Sequence, residues 1–204
     1  MSAERGKFIA FEGLDGSGKT TKAKMLAKHL GEMGYKVVLT RQPGGIEETE
    51  KIRELIMDPQ VNNGPIVALF LFLSDLARHV PKIKSDLEKG KIVICDRFET
   101  STLVYQGHVG GLSLSRVRDE NEVATGGLRP DLILIIDLPA QEAKKRAKRE
   151  NSTHYDEKPL EFYQKIQAGF LWEAKAPYNV GICEVVDGTG TPEEVHQRVV
   201  DILK

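Results

Sequence analysis

The sequence predicts an α/β protein built on a doubly wound, five-stranded parallel sheet in a single domain. Three observations carry this. Strand-type and helix-type segments alternate along the 204 residues, as βαβ crossovers require. Runs such as Ile92-Val-Ile-Cys-Asp96 and Leu132-Ile-Leu-Ile-Ile136 are continuously apolar up to their ends, which suits strands covered on both faces. And the first apolar run, Phe8 to Phe11, breaks into a glycine-rich turn that leads straight into a helical pattern at Lys19.

Each element has a local reason. Lys19 to Met33 places Ala23, Leu26, Ala27 and Leu30 at helical spacing, and Gly34 ends it. Lys36 to Thr40 is a second strand, closed by the breaker-rich Arg41-Gln-Pro-Gly-Gly45. Glu47 to Met57 is a helix. Gly64 and Pro65 open the next, Ile66 to about His79, which Pro81 is expected to interrupt. Ile92 to Asp96 is the third strand. A short helix, Thr100 to Gln106, then gives way to a glycine loop, Gly107 to Gly111. Ser113 to Ala124 is helical and Asp131 to Asp137 is the fourth strand. Pro139 starts a basic helix running to about Arg149, and a polar, breaker-rich segment reaches Pro159. Leu160 to Ala176, Ile182 to Val186 and Pro192 to Leu203 complete the alternation as helix, strand and helix.

Composition narrows the function classes. A net charge of −1 provides no basic field for nucleic acid. The longest apolar runs fall far short of a bilayer, and the first residues lack the apolar core of a signal peptide. The expected location is cytoplasmic. Cys95 and Cys183 sit in strand-like runs and read as buried free thiols.

Chemistry concentrates at the turns after the strands, where ligands of doubly wound sheets bind. Gly13, Gly18, Lys19 and Thr20 satisfy G-x-x-x-x-G-K-[ST], a phosphate-binding loop. Its glycines let backbone N–H groups approach phosphate, the following helix directs its positive end at the same anion, and Lys19 adds a full charge. The Thr20 hydroxyl can ligate Mg²⁺. Gly13, Leu14, Asp15, Gly16, Ser17, Gly18, Lys19, Thr20 and Thr21 are thus the expected ATP site.

Arg41 follows the second strand, Asp96-Arg97 the third, and the basic helix the fourth. A lone arginine at such a place is usually a solvated charge. Several at successive strand ends suggest a second phosphate site, because the guanidinium fork matches phosphate oxygens. Phosphoryl transfer between two phosphorylated molecules follows. Asp96 and Asp137 both end apolar strands as a Mg²⁺-organising carboxylate does. Asp96 is preferred because Arg97 follows it, whereas Asp137 can cap the helix that Pro139 begins.

The residues carry a resemblance. The chain resembles the thymidylate kinases from about Lys7 onward, on Phe11-Glu-Gly-Leu-Asp-Gly-Ser-Gly-Lys-Thr-Thr21, Thr40-Arg-Gln-Pro-Gly-Gly45, Asp96-Arg-Phe98, Ser101-x-x-x-Tyr-Gln-Gly107 and Arg129-Pro-Asp-Leu132. The resemblance implies a homodimer that moves the γ-phosphoryl of ATP to dTMP with Mg²⁺, held by Thr20 and Asp96. It implies that Asp15 meets the sugar 3′-hydroxyl and that Arg41 and Arg97 hold the acceptor phosphate. Phe72 stacks on the base, Ser101 contacts its edge, Tyr105 crowds the 2′ position and Gln106 lines the pocket. Without the resemblance, Phe72 reads as core.

The loop lacks an internal arginine, which in this family goes with catalytic cations from a lid, about residues 146–159. Arg146 and Arg149 are the matching candidates. Several positions depart from the family. Leu76 stands where an arginine usually bonds the thymine carbonyl, and Gln42 replaces a glutamate. Gly110 replaces an arginine, and the lid reads His154-Tyr-Asp156. A kinase for another nucleoside monophosphate, or a nucleotide-binding relative without catalysis, therefore stays open. A GTP switch is disfavoured because Asn-Lys-x-Asp is absent from the sequence.

Overall fold

The computed structural model describes residues 5–147 and 158–204. Five strands form one parallel sheet in the order β2-β3-β1-β4-β5. They are β1 (Phe8–Gly13), β2 (Val37–Arg41), β3 (Ile92–Asp96), β4 (Leu132–Asp137) and β5 (Cys183–Asp187). Helices α1 (Lys19–Glu32), α2 (Glu47–Met57), α3 (Pro65–Glu88) and α4 (Glu99–Thr102) lie in the first half of the chain. Helices α5 (Leu114–Thr125), α6 (Ala140–Ala147), α7 (Leu160–Ala174) and α8 (Pro192–Ile202) follow. The doubly wound sheet is the one the alternation predicts. Among the described residues, no helix is long and apolar enough to cross a membrane.

Strand periodicity of two assigns each side chain to a face. Phe8, Ala10, Val93 and Cys95 pack with the apolar stripe of α3 on one side. Ile9, Phe11, Ile94 and Leu134 pack with Ala23 and Leu26 of α1 and with Val195 and Val199 of α8 on the other. Ile133 and Ile135 meet α6 and α7. Cys95 is buried as expected, whereas Cys183, on an edge strand, is only partly covered.

Helix α3 departs from the sequence expectation, for it continues through Pro81 to Glu88. A mid-helix proline costs roughly 3 kcal/mol, and the carbonyl it leaves unbonded is that of Ala77. Ala77 and Pro81 both face solvent, so water can satisfy that group. The opposite face buries Leu69, Leu73, Leu76, Val80, Ile83 and Leu87. At about 1.5–3 kcal/mol each, that stripe outweighs the proline.

The expected loop after Gln106 also differs. Helix α4 runs on into a π-helical turn, Leu103–Val109, and Gly110 N–H donates to the Tyr105 carbonyl at 2.9 Å, five residues back. Gly107 is packed within this turn, since a Cβ there would lie 2.5 Å from Leu114 Cδ2. A π-turn of this kind re-aims side chains at a functional site, and here it carries Tyr105 and Gln106.

Candidate active site

Strand β1 lies between β3 and β4, so the crossovers leaving β1 and β3 diverge and open a crevice at their carboxyl ends. The phosphate loop leaves β1 into this crevice. Gly16 and Gly18 take φ of 80° and 85°, and a Cβ on Gly16 would sit 2.3 Å from the Ala143 carbonyl oxygen, so only glycine fits there. Gly18 caps α1 without a side-chain hydrogen bond, leaving the first N–H groups of the helix to an anion. Gly13, Leu14 and Ser17 lie behind the loop and are buried. Lys19 is buried beside it; its Nζ donates to the Leu14 carbonyl at 3.3 Å and to Asp15 Oδ1 at 3.2 Å.

The second arm of the site is the turn after β3. Among the described residues Arg97 is the only non-glycine with positive φ, at 71°. Such a conformation costs on the order of 1–3 kcal/mol and persists where the surroundings over-determine it. Glu12 supplies that determination. Its fully buried carboxyl accepts from Phe98 N–H at 2.8 Å, Ser101 N–H at 3.3 Å and Ser101 Oγ at 2.5 Å. Burial pushes Glu12 up to about 7, against the pull of Arg97. Held in this way, Arg97 donates from Nη2 to Asp15 Oδ1 at 2.6 Å and to Tyr105 OH at 3.3 Å, and from Nη1 to Ser101 Oγ at 2.9 Å. Tyr105 OH donates to Asp15 Oδ2 at 3.2 Å. Burial would raise the Asp15 carboxyl, but Arg97 and Lys19 outweigh it and hold the group well below the usual carboxylate range. Burial keeps the Tyr105 phenol protonated.

Asp96 Oδ2 accepts from the Thr20 hydroxyl, while Asp96 Oδ1 is buried without a partner among the described residues. Hydroxyl and orphaned carboxylate oxygen together are the oxygen donors a hard divalent cation such as Mg²⁺ takes. Asp137 instead accepts from the Gln167 amide at 2.7 Å, which leaves it engaged elsewhere.

The two arms bound a cavity of about 540 Å³. Asp15, Gly16, Gly18, Lys19, Thr20 and Thr21 line one side. Arg41, Phe72, Asp96, Arg97, Ser101, Tyr105 and Gln106 line the other. Ser101 is mostly engaged by Glu12 and Arg97. Arg41 reaches the cavity wall with its guanidinium on Glu50, at 2.9 and 3.1 Å. Arg146 does not join them; its Nε pairs with Glu142 at 3.1 Å, although its neighbour Ala147 lines the cavity. Arg149 and most of the expected lid lie outside the described residues. Leu76 is buried in the core, and Arg78 pairs with Glu48 at 3.0 Å.

Sequence reasoning passed over Glu12, Arg53, Met57 and Thr102. Arg53 lines the cavity while its Nη1 donates to the Pro43 carbonyl at 2.8 Å, and Asp75 holds the same turn by accepting from Gly44 N–H at 2.7 Å. The only signal for Glu12 is an acid inside an otherwise apolar strand, Phe8 to Phe11 with Glu12 next.

A parallel sheet of this order, with a phosphate loop after its central strand, defines the class: an α/β P-loop kinase. The family model for thymidylate kinase matches residues 11–199. The chain belongs to the thymidylate kinase family, which are ATP-dependent nucleoside monophosphate kinases. It is similar to the thymidylate kinase of Thermoanaerobacter sp. (strain X514), 36% identical over 98% of each chain. The thymidylate kinase of Caldanaerobacter subterraneus subsp. tengcongensis is 41% identical over 98% of this chain and 96% of its own. Among solved structures, the thymidylate kinase of Ehrlichia chaffeensis superimposes with a TM-score of 0.81 at 34% identity, over 98% of this chain and all of the other.

Proposed function

We propose that the chain performs its family's reaction, moving the γ-phosphoryl of ATP to dTMP to give dTDP and ADP, inside the cavity between the phosphate loop and Arg97. One observation carries this reading. Lys19, the loop cation, and Arg97, the strand-end guanidinium, converge on one carboxylate, Asp15, at 3.2 and 2.6 Å. An anion beside each cation would thus be brought close to the other.

The acceptor is a phosphate oxygen, already nucleophilic, so positioning and charge neutralisation suffice and no strong base is needed. Lys19 and the N–H groups at the start of α1 hold the donor phosphates. Arg97 and Arg41 hold the acceptor phosphate, and Arg41 exchanges Glu50 for it. Asp15 and Tyr105 fix the sugar, and Phe72 with Gln106 borders the base. Thr20 and Asp96 would hold Mg²⁺, which when bound neutralises phosphate charge. Arg146, and Arg149 outside the described residues, are the expected catalytic cations, and Arg146 would exchange Glu142 for the transferred phosphate. A cytoplasmic homodimer fits this reading. Ile66, Val67 and Phe70 expose a cluster of apolar side chains on α3 that a second copy would cover.

The test is a panel of deoxy- and ribonucleoside monophosphates with ATP, followed by ADP release. dTMP is expected to be used best. Absence of ADP release with every monophosphate in the panel would leave a binding protein. Because Leu76 is buried and brings no donor to the base, a kinase for another nucleoside monophosphate is the second reading. A different monophosphate used at least about tenfold better would establish it.

A further inference from the structure

Helix α1 carries a second lysine that the site described above does not use. Lys22 follows Lys19 by three residues, on the turn that faces α8. It is only 4% exposed. Helical side chains lean toward the N-terminus, and the Lys22 ammonium does so, ending 3.9 Å from where a Cβ on Gly18 would be. Among the described residues it has no hydrogen-bond or ion-pair partner. Burial pushes its pKa down; Glu193, at the start of α8, draws it back up, and Arg146, at the end of α6, pushes it down again.

A cation with no partner among the described residues, at the positive end of a helix and with a guanidinium field beside it, costs free energy in the protein without ligands. An anion seated on the loop would relieve that cost. Lys19 is turned toward Asp15, on the side of Arg97. Lys22 does not line the cavity that Arg97 borders, and the charges acting on it are those of Glu193 and Arg146. In phosphoryl transfer the attacking and leaving oxygens lie roughly in line, on opposite sides of the transferred group. The leaving diphosphate therefore points away from Arg97, and Lys22 lies outside the cavity that Arg97 borders, 3.9 Å from where a Cβ on Gly18 would be.

We propose that Lys22 is a second phosphate-loop cation, binding a phosphate that the donor nucleotide keeps after transfer. The inference rests on the placement of donor and acceptor given above, and it divides the loop's charge between two lysines. Lys19 serves the group that moves, and Lys22 the part that leaves as ADP.

The test is calorimetric titration of Mg-ATP and Mg-ADP into wild type, Lys22→Met, Lys22→Gln and Lys22→Arg, with melting temperatures of the ligand-free proteins and steady-state kinetics. The Met and Gln variants are expected to bind ATP and ADP about tenfold more weakly and by the same factor, with KM for dTMP within about twofold. Lys22→Arg keeps most of the affinity. Ligand-free Lys22→Met is expected to melt at or above the wild-type temperature, because a cation repelled by the helix dipole and by Arg146 has been removed. Unchanged affinity for both nucleotides in the Gln variant would overturn the proposal. So would a loss confined to ATP, which would move the contact to the transferred phosphate. The titration needs no turnover, so it separates the two claims. Wild type that binds ADP through Lys22 yet makes no ADP from ATP with any monophosphate would sink the kinase reading and keep this one.

Discussion

Arg97 and Asp15 stand 82 residues apart in the chain and 2.6 Å apart in the site, and the same Asp15 oxygen lies 3.2 Å from the Lys19 ammonium. One carboxylate thus ties the turn after β3 to the loop after β1. The tie holds two cations close together at low cost while no phosphate is present. On the proposed reading, incoming phosphates replace part of that pairing and the two cations then keep the phosphates in register.

The two cations are expected to fail differently. Lys19→Ala removes charge from the group in flight, and turnover should drop by about a thousandfold or more. Arg97→Ala should raise KM for dTMP by at least about tenfold and leave KM for ATP nearly unchanged. Steady-state kinetics on both variants checks this. An unchanged KM for dTMP in the Arg97 variant counts against its role.

Tyr105 donates to Asp15 and accepts from Arg97, and its ring packs edge-on to Phe170 at 6.4 Å. Tyr105→Phe retains the packing and loses hydrogen bonds to charged groups, each worth about 1.5–3 kcal/mol. kcat/KM for dTMP should fall about tenfold or more, and the ligand-free melting temperature should fall by several degrees with the lost bonds. Tyr105→Ala opens the space beside the sugar, and the preference for deoxyribose over ribose monophosphates should narrow. A preference unchanged in the Ala variant would remove Tyr105 from sugar selection.

The site has a signature in the pH dependence of stability. Burial raises Glu12, Asp75 and Glu99 to about 7 each. A carboxyl whose pKa is higher folded than unfolded stabilises most below its unfolded value. That stabilisation is lost as pH rises through the folded value. Asp15, Asp86 and Glu50 are shifted down and act oppositely, losing their contribution as pH falls below about 4. His79, pushed down to about 4 by burial, works against this below about pH 6.5, but it is one group against three carboxyls, so melting temperature should peak near about pH 5 and decline toward pH 8. Glu12→Gln should flatten part of that decline. Melting curves across this range decide it, and a wild-type melting temperature that climbs from pH 5 to 8 contradicts the assignment.

Among the described residues Asp96 keeps one buried oxygen without a partner and shares the other with Thr20. Asp96→Asn should raise the Mg²⁺ concentration for half-maximal activity several-fold and leave KM for dTMP close to wild type. A Mg²⁺ titration of turnover reads this directly. An unshifted midpoint would return Asp137 to consideration.

Lys19 and Arg97 were legible in the sequence because local chemistry announces them: glycines before a lysine at a helix start, and an acid and a base ending an apolar strand. Their meeting on Asp15 was not legible: the resemblance assigns Asp15 to the sugar 3′-hydroxyl, and no local pattern joins residues 82 positions apart. Glu12 was missed because its hydrogen bonds run to residues 86 and 89 positions away, which no local pattern encodes. Arg53 was passed over because nothing local separates it from any charged helix residue, and only the packing of α2 brings its guanidinium to the Pro43 carbonyl. Pro81 misled because local propensity argues for a break, whereas the buried stripe from Leu69 to Leu87 is a property of the tertiary fold. The π-turn at Leu103–Val109 was hidden behind glycines that usually mark loops.

The most direct measurement joins both substrates in one molecule, adenosine and thymidine bridged by a chain of phosphates, titrated calorimetrically with Mg²⁺ present. A single cavity with facing anion pockets predicts one molecule bound per chain, displaced by either ATP or dTMP, and weakened by both Lys19→Ala and Arg97→Ala. Displacement by only one of the two nucleotides, or indifference to one of the two substitutions, would contradict the shared site.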